Sequence, residues 1–152
     1  MKEFYIGLMT GTSLDGVDIS ICSFSKTKSR LIKFYSYPFM KNFSQRLDNI
    51  CELNKISKDE VGVMNKEIGN EYSKRISQSL KKANLSKKNI KSICISGQTI
   101  HHNVNLKFPF SMQVGDPNII KSHTGIPVVS DLRNSHIAYG GQGAPLVPEF
   151  HK

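Results

Sequence analysis

The chain has 152 residues, of which 38% are hydrophobic, 9% aromatic and 22% charged. That composition excludes a disordered or low-complexity polymer and suits one domain with a buried core. No apolar run reaches the ~20 residues of a membrane-spanning helix, and Met1–Ile6 lacks the apolar stretch and cleavage site of a secretory signal. A net charge of +9 raises nucleic acid and membrane surfaces as partners. The lysines that dominate it are scattered, however. Lys81, Lys82, Lys87, Lys88 and Lys91 flank a helix end and do not track one face. Neither nucleic acid nor membrane is therefore expected as a partner. Cys22, Cys51 and Cys94 are odd in number and share no C-x-x-C spacing. They read as buried thiols of a reducing cytoplasm, not as disulfides or zinc ligands.

In chain order, Phe4–Met9 is a short apolar strand that runs into the polar turn Thr10–Gly16. In Val17–Phe24, Val17, Ile19 and Ile21 alternate with Asp18, Ser20 and Cys22, the period-2 pattern of a second strand. Ser25–Arg30 is a loop, and Leu31–Tyr37 is a third strand stopped by Pro38. Phe43–Leu53 suits a short helix. Ser57 with Glu60 has the capping-box form, and Val61, Met64, Ile68, Tyr72, Ile76 and Leu80 then lay one apolar stripe along a long helix. Ile90–Ile95 is a compact strand. His101 and His102 fall in a loop, and Ser111–Val114 suits a very short strand. Asp116-Pro117 starts a helix over Asn118–His123 that Gly125 ends, Ile126–Val129 is a further strand, and Gly140–Pro145 is loop. The order β-β-β-α-β-α-β, with three antiparallel strands feeding helix-connected parallel ones, is an α/β ribonuclease-H-like half of the kind duplicated in actin-like kinases.

Ligands of such sheets bind where loops converge at strand ends. Three polar segments qualify. Gly11-Thr12-Ser13-Leu14-Asp15-Gly16-Val17-Asp18 combines two glycines, which let a backbone come close to a ligand, with hydroxyl donors and successive amides that can form an anion nest. No Gly-Lys-Ser/Thr follows, so it is not a Walker A loop, and an ordinary hairpin turn has a similar composition. Ser96-Gly97-Gln98-Thr99 with His102 offers donors and acceptors to a hydroxylated ligand. Asp131-Leu132-Arg133 offers a carboxylate for sugar hydroxyls or metal-bound water, and a guanidinium for a carboxylate; a surface ion pair is the plainer reading. The five histidines show no ligand spacing, and no protein-ligated metal site is expected.

Ile6-Gly7-Leu8-Met9-Thr10-Gly11-Thr12-Ser13-Leu14-Asp15-Gly16-Val17-Asp18 closely resembles the opening motif of the anhydro-N-acetylmuramic acid kinases. Ser96–Thr99, Gln113-Val114-Gly115-Asp116, Asp131-Leu132-Arg133 and Gly140–Pro148 resemble further blocks of that family in order and spacing. The resemblance implies an actin-like sugar-kinase fold and ATP with Mg2+ as cofactors. It also implies a reaction in which water opens the 1,6-anhydro ring and O6 is phosphorylated, giving MurNAc-6-phosphate for peptidoglycan recycling in the cytoplasm. It implies that Gly11, Thr12, Ser13, Leu14, Asp15, Gly16, Val17 and Asp18 meet the nucleotide, with Asp15 and Asp18 holding Mg2+ through water. Gln98, Thr99, Asp131 and Arg133 would meet the sugar. Local departures are Ser96 where the family usually has His, Leu132 where it has Phe, and His136 where it has Asp.

The family's Asp-x-Gly-Pro-Gly-Asn segment, whose aspartate is the base that activates the water, is not among these 152 residues. Residues 1–152 are therefore expected to be the N-terminal lobe of a bilobal kinase. No catalytic base is expected in them, and the stretch alone is expected to be inactive. The alternative is a non-catalytic remnant that binds a partner. A nuclease is disfavoured because Phe4–Met9 carries no acid. The apolar tail Leu146, Val147 and Phe150 is expected to promote a homo-oligomer or to leave the chain marginally folded.

Overall fold

In a computed structural model of the protein, which describes residues 3–52 and 57–145, seven strands and four helices follow one another. They are β1 (Phe4–Met9), β2 (Gly16–Phe24), β3 (Ser29–Pro38), α1 (Lys41–Glu52), α2 (Lys58–Ala83), β4 (Ile90–Ile95), β5 (Gln98–Asn103), β6 (Phe110–Val114), α3 (Pro117–Thr124), β7 (Val128–Val129) and α4 (Leu132–Ala138). Five strands form one sheet in the order β3-β2-β1-β4-β7, and β5 and β6 form a separate hairpin. β1 to β3 pair antiparallel, whereas β1, β4 and β7 pair parallel. This is the mixed α/β, ribonuclease-H-like layout that the sequence predicts.

The alternation in β2 does what the sequence requires. Val17, Ile19 and Ile21 are fully buried, while Asp18, Ser20 and Cys22 are half-buried on the other face. Ile6 and Leu8 of β1 and Ile93 and Ile95 of β4 continue the buried face. α2 lies against β2 and β3 with Met64, Ile68, Tyr72, Ile76 and Leu80 buried. Its capping box is present in full: Ser57 Oγ accepts from the Glu60 amide, and the Glu60 carboxylate accepts from the Ser57 amide. The Ser57 hydroxyl and then the Ser57 amide, both facing the Glu60 carboxylate, hold it below its ordinary range. Asn84 in the left-handed conformation ends the helix. α3 packs on α2 at Gly69, where a Cβ would stand 3.0 Å from the Asp116 carbonyl oxygen.

Four local expectations need correction. His101 and His102 lie in β5, not in a loop; β6 begins at Phe110 and pairs with β5 along its length. The strand expected over Ile126–Val129 contracts to Val128–Val129, although Ile126 is buried and the Pro127 carbonyl accepts from the Ile93 amide. α4 was unexpected, because Leu132–Ala138 is too short to show a helical repeat. The cysteines form no disulfide among the described residues and are half-buried, not buried; burial nevertheless pushes the Cys94 thiol up. Leu146, Val147 and Phe150 lie outside the described residues. None of the described helices is long and apolar enough to cross a membrane.

Candidate functional site

Leu8 pairs with Ile95 and Cys94 with Val129, so the C-terminal ends of β1, β4 and β7 lie side by side. The three polar segments singled out in the sequence leave the sheet at that end.

The first is a tight turn in which the Leu14 amide donates to the Gly11 carbonyl at 3.2 Å. Thr12, Ser13 and Asp15 are exposed, and Ser13 Oγ donates to Asp15 Oδ1 at 2.8 Å. Among the described residues the Thr12 and Ser13 amides have no backbone partner, so they remain available to an anion. Asp18 is half-buried on β2, opposite Met9 and Ser36. Exposed hydroxyls and carboxylates make an all-oxygen donor set, which suits Mg2+ and a polyphosphate.

Three residues of this motif serve the fold instead. Leu14 and Val17 are buried and anchor the turn in the core. Gly16 was expected to open the backbone to a ligand, but a Cβ there would meet β3, 2.9 Å from Pro38 Cα and closer still to the Tyr37 carbonyl oxygen. Its missing side chain is what lets β2 and β3 pair.

A groove of about 580 Å³ opens beside the ends of β4 and β7, walled by the β5–β6 hairpin on one side and by the start of α4 on the other. Asn65, Ser96, Ser111, Gln113, Asp131 and Asn134 are among its polar lining residues, and Phe110 and Met112 form part of its apolar rim. One hydrogen-bonded chain links Thr99 and Asp131, distant in sequence; Asp131 lines the groove, and Thr99 stands just behind its wall. Gln113 Nε2 donates to Thr99 Oγ1 at 3.4 Å and to Ser111 Oγ at 2.5 Å. His102 Nδ1 lies 3.0 Å from the same Ser111 hydroxyl. Asn134 Nδ2 then donates to the Ser111 carbonyl and to Asp131 Oδ1, both at 2.7 Å.

The other two predicted sugar residues are placed differently. Gln98 is fully buried; its Nε2 donates to the Thr99 carbonyl and its Oε1 has no partner among the described residues. It does not line the groove. Arg133 is half-buried, and its Nη1 donates to the Gly143 carbonyl at 2.9 Å. It therefore secures the Gly140–Pro145 loop and faces no groove. Gly143 is buried with φ +71°, and a Cβ there would press on Ile137 at 3.0 Å.

Tyr72 joins the two regions. Its hydroxyl lies 2.7 Å from the buried Thr10 Oγ1, just before the turn. Its ring backs Gly115, where φ is +123° and a Cβ would stand 2.8 Å from Cε2. Burial pushes the phenol well above its ordinary value, outweighing the Thr10 hydrogen bond, so it stays neutral. Asn65 completes the support: its Oδ1 accepts from the Gly115 amide at 2.7 Å and its carbonyl accepts from the Asp116 amide at 3.1 Å. Asn65, Ser111, Gln113 and Asn134 were not singled out as individual site residues. Gln113 lay in a motif quoted for the family resemblance; the other three carry no local sequence signal.

The family model of anhydro-N-acetylmuramic acid kinase matches residues 3–152. An anhydro-N-acetylmuramic acid kinase of the gamma-proteobacterium EBAC31A08 is 51% identical over 150 residues, covering 99% of this chain and 41% of the relative. That of Pasteurella multocida (strain Pm70) is 42% identical over 155 residues, covering 100% and 41%. The chain thus spans about two fifths of the length of these curated relatives. Among solved structures, a Ppx/GppA family member of Aquifex aeolicus superposes with a TM-score of 0.37 at 11% identity, covering 91% of this chain and 39% of that one. With its strand-end motifs in family order and the family model matched from Glu3 onwards, the chain belongs to the anhydro-N-acetylmuramic acid kinase family.

Proposed function

We propose that residues 1–152 form the N-terminal lobe of an ATP-dependent kinase of 1,6-anhydro-N-acetylmuramic acid, acting in peptidoglycan recycling in the cytoplasm. Water would open the anhydro ring and O6 would be phosphorylated to give MurNAc-6-phosphate. The observation that carries the reading is the placement of an anion-accepting turn and a hydroxyl- and amide-lined groove at the same end of one sheet. Bound Mg-ATP supplies the phosphoryl group. The Thr12 and Ser13 amides and hydroxyls orient its phosphates, Asp15 and Asp18 hold water around the cation, and Leu14 and Val17 keep the turn in place. Asp131 accepts from sugar hydroxyls at the groove, and Thr99, tied to the groove wall by Gln113, offers its hydroxyl beside it; Gln98 backs Thr99, and Arg133 secures the Gly140–Pro145 loop. Positioning of this kind is most of what phosphoryl transfer asks of a protein.

The family's base belongs to the Asp-x-Gly-Pro-Gly-Asn segment, so the 152-residue stretch alone is expected to turn over at least ~10²-fold slower than a complete kinase. The deciding experiment is an amide NMR titration of the isotopically labelled chain. Mg-ADP should move Thr12, Ser13 and Gly16, and 1,6-anhydro-N-acetylmuramic acid should move Thr99, Ser111 and Asp131. Responses confined to Lys81–Lys91 would overturn the reading in favour of a basic surface that gathers anions.

A further inference from the structure

We propose that Asn134 is a positioning residue of the groove. Its carboxamide ties the Asp131 carboxylate to the free edge of β6, so that the groove presents one fixed carboxylate oxygen to an uncharged ligand hydroxyl. The inference rests on the sugar-groove reading above.

Four observations lead there. First, Asp131 precedes α4 in the position where an aspartate ordinarily caps the helix with its side chain, yet it makes no such bond. Its carboxylate is engaged by Asn134 instead. Second, Asp131 has φ +59°, a left-handed conformation that costs a non-glycine residue energy and that clusters at working sites. Third, the Asn134 amide is used completely and in one orientation. Oδ1 accepts from the Ser111 amide at 2.9 Å, while the two Nδ2 hydrogens go to the Ser111 carbonyl and to Asp131 Oδ1. A flipped amide would set oxygen against both acceptors. Ser111 lies on the edge of β6 away from β5, so Asn134 acts as a one-residue continuation of the hairpin. Fourth, Asp131 is the only charged side chain among the described residues that line the groove. A wall of hydroxyls and amides with one carboxylate accepts hydroxyl donors and repels phosphate. The subsite therefore takes the neutral ring of the sugar, and a phosphorylated sugar fits it less well.

Asparagine suits this task where its neighbours in chemistry do not. Aspartate would lose both donors and set a second charge beside Asp131. Alanine would leave the β6 edge to water and the carboxylate free to rotate.

The test compares the wild-type chain with Asn134→Ala, Asp131→Asn and the double variant. Three-bond couplings should place Asp131 χ1 in one rotamer in the wild type and show averaging in Asn134→Ala. Affinity for 1,6-anhydro-N-acetylmuramic acid should fall about 10-fold in Asn134→Ala, the effect expected when a hydrogen bond to a charged group is lost and its partner drifts. The double variant should bind no more weakly than Asp131→Asn alone, because Asn134 acts through Asp131. Should Asn134→Ala fail to fold, Asn134→Asp carries the same measurements, keeping the shape and the contact with the Ser111 amide. A single Asp131 rotamer in the variant, or losses that add in the double variant, would overturn the proposal. If the wild type binds no anhydro sugar, the groove reading fails by itself, and the rotamer measurement still decides whether Asn134 positions Asp131.

Discussion

Replacing Gly16 by alanine separates two reasons for a glycine in the nucleotide motif. If glycine is there to admit a ligand, the free protein should tolerate a methyl group and only binding should suffer. The geometry predicts the reverse. The added Cβ would stand 2.9 Å from both Pro38 Cα and the Tyr37 carbonyl carbon, and closer still to the Tyr37 carbonyl oxygen. All three are backbone atoms of β3, held by the β2–β3 ladder through the pairs Gly16↔Pro38 and Val17↔Tyr37. No rotamer change relieves the clash; the strands must part at the point where Tyr37 enters the core and its hydroxyl meets Ser79 at 3.0 Å. Overpacking costs typically 1–3 kcal/mol, and a clash with backbone belongs at about 3. At roughly 2–4 °C per kcal/mol for a chain of this size, the melting temperature should fall by about 6–12 °C. Gly62→Ala is the control. Gly62 lies inside α2 with nothing within 4 Å of its Cβ position, and alanine there should stabilise the helix by about 0.5–1 kcal/mol. Thermal melts followed by circular dichroism measure both. A Gly16→Ala chain melting within a degree of wild type while losing Mg-ADP binding would refute the reasoning and restore the ligand-approach reading.

Tyr72→Phe should cost about 1–2 kcal/mol by leaving the buried Thr10 hydroxyl unpaired, measured by denaturant unfolding. Because burial raises the folded-state value of Tyr72, its neutral form contributes stability that is fully present below the ordinary value of 10.0 and is lost as pH rises past it. The wild type should therefore weaken above about pH 10 more steeply than Tyr72→Phe, and parallel alkaline profiles would contradict this. Ser57→Ala removes the side-chain acceptor of the α2 capping box and should cost about 1 kcal/mol, read as a lower melting temperature and faster amide exchange in the first turn of α2.

The framework was legible because its signals are local. β2 alternates strictly, α2 repeats an apolar residue about every four positions behind a capping box, and Asp116, Pro117 and Gly125 punctuate α3 with residues chosen for cap geometry. The misreadings have physical causes. In β5 the register shift between Thr99 and His101 breaks the alternation, and the polar run Gln98, Thr99, His101, His102 and Asn103 looks like loop. In the site, the turn and Asp131 were legible as polar residues at strand ends. The hydrogen-bonded chain between Thr99 and Asp131 was not, because it is made of contacts across the fold. Ser111 and Asn134 meet across 23 residues, and Asn65 and Gly115 across 50. A lone asparagine reads the same on a surface as it does when all its hydrogen-bonding groups are in use. Gln98 and Arg133 were legible as polar groups near a site, but which way they faced was decided by burial and by Gly143, neither of which is local.

Leu14 links the fold to the proposed phosphate turn most directly. Leu14, Asn84 and Asp131 are the non-glycine residues with positive φ among those described. Asn84 is unremarkable, since asparagine commonly ends helices in that conformation. Leucine at φ +53° is a genuine outlier, costing on the order of 1–3 kcal/mol. Burying its side chain contributes about 1.5–3 kcal/mol, enough to hold the strained turn closed. Leu14→Ala keeps the strain and discards most of the burial, so it should cost about 2–3 kcal/mol, near the lower end for core leucine truncations, and lower the melting temperature by about 4–12 °C. The damage should be local as well as global. Amides of Thr12 to Asp15 should exchange faster with solvent, and their response to Mg-ADP should weaken more than the stability loss explains, because an open turn no longer presents successive N–H groups to a phosphate. Leu14→Gly removes strain and burial together, so it should lose less stability than alanine while loosening the turn at least as much. Hydrogen exchange on the three chains distinguishes the cases. Unchanged protection of residues 12–15 in Leu14→Ala would mean that the turn holds its shape without the leucine, and that the buried side chain serves the core alone.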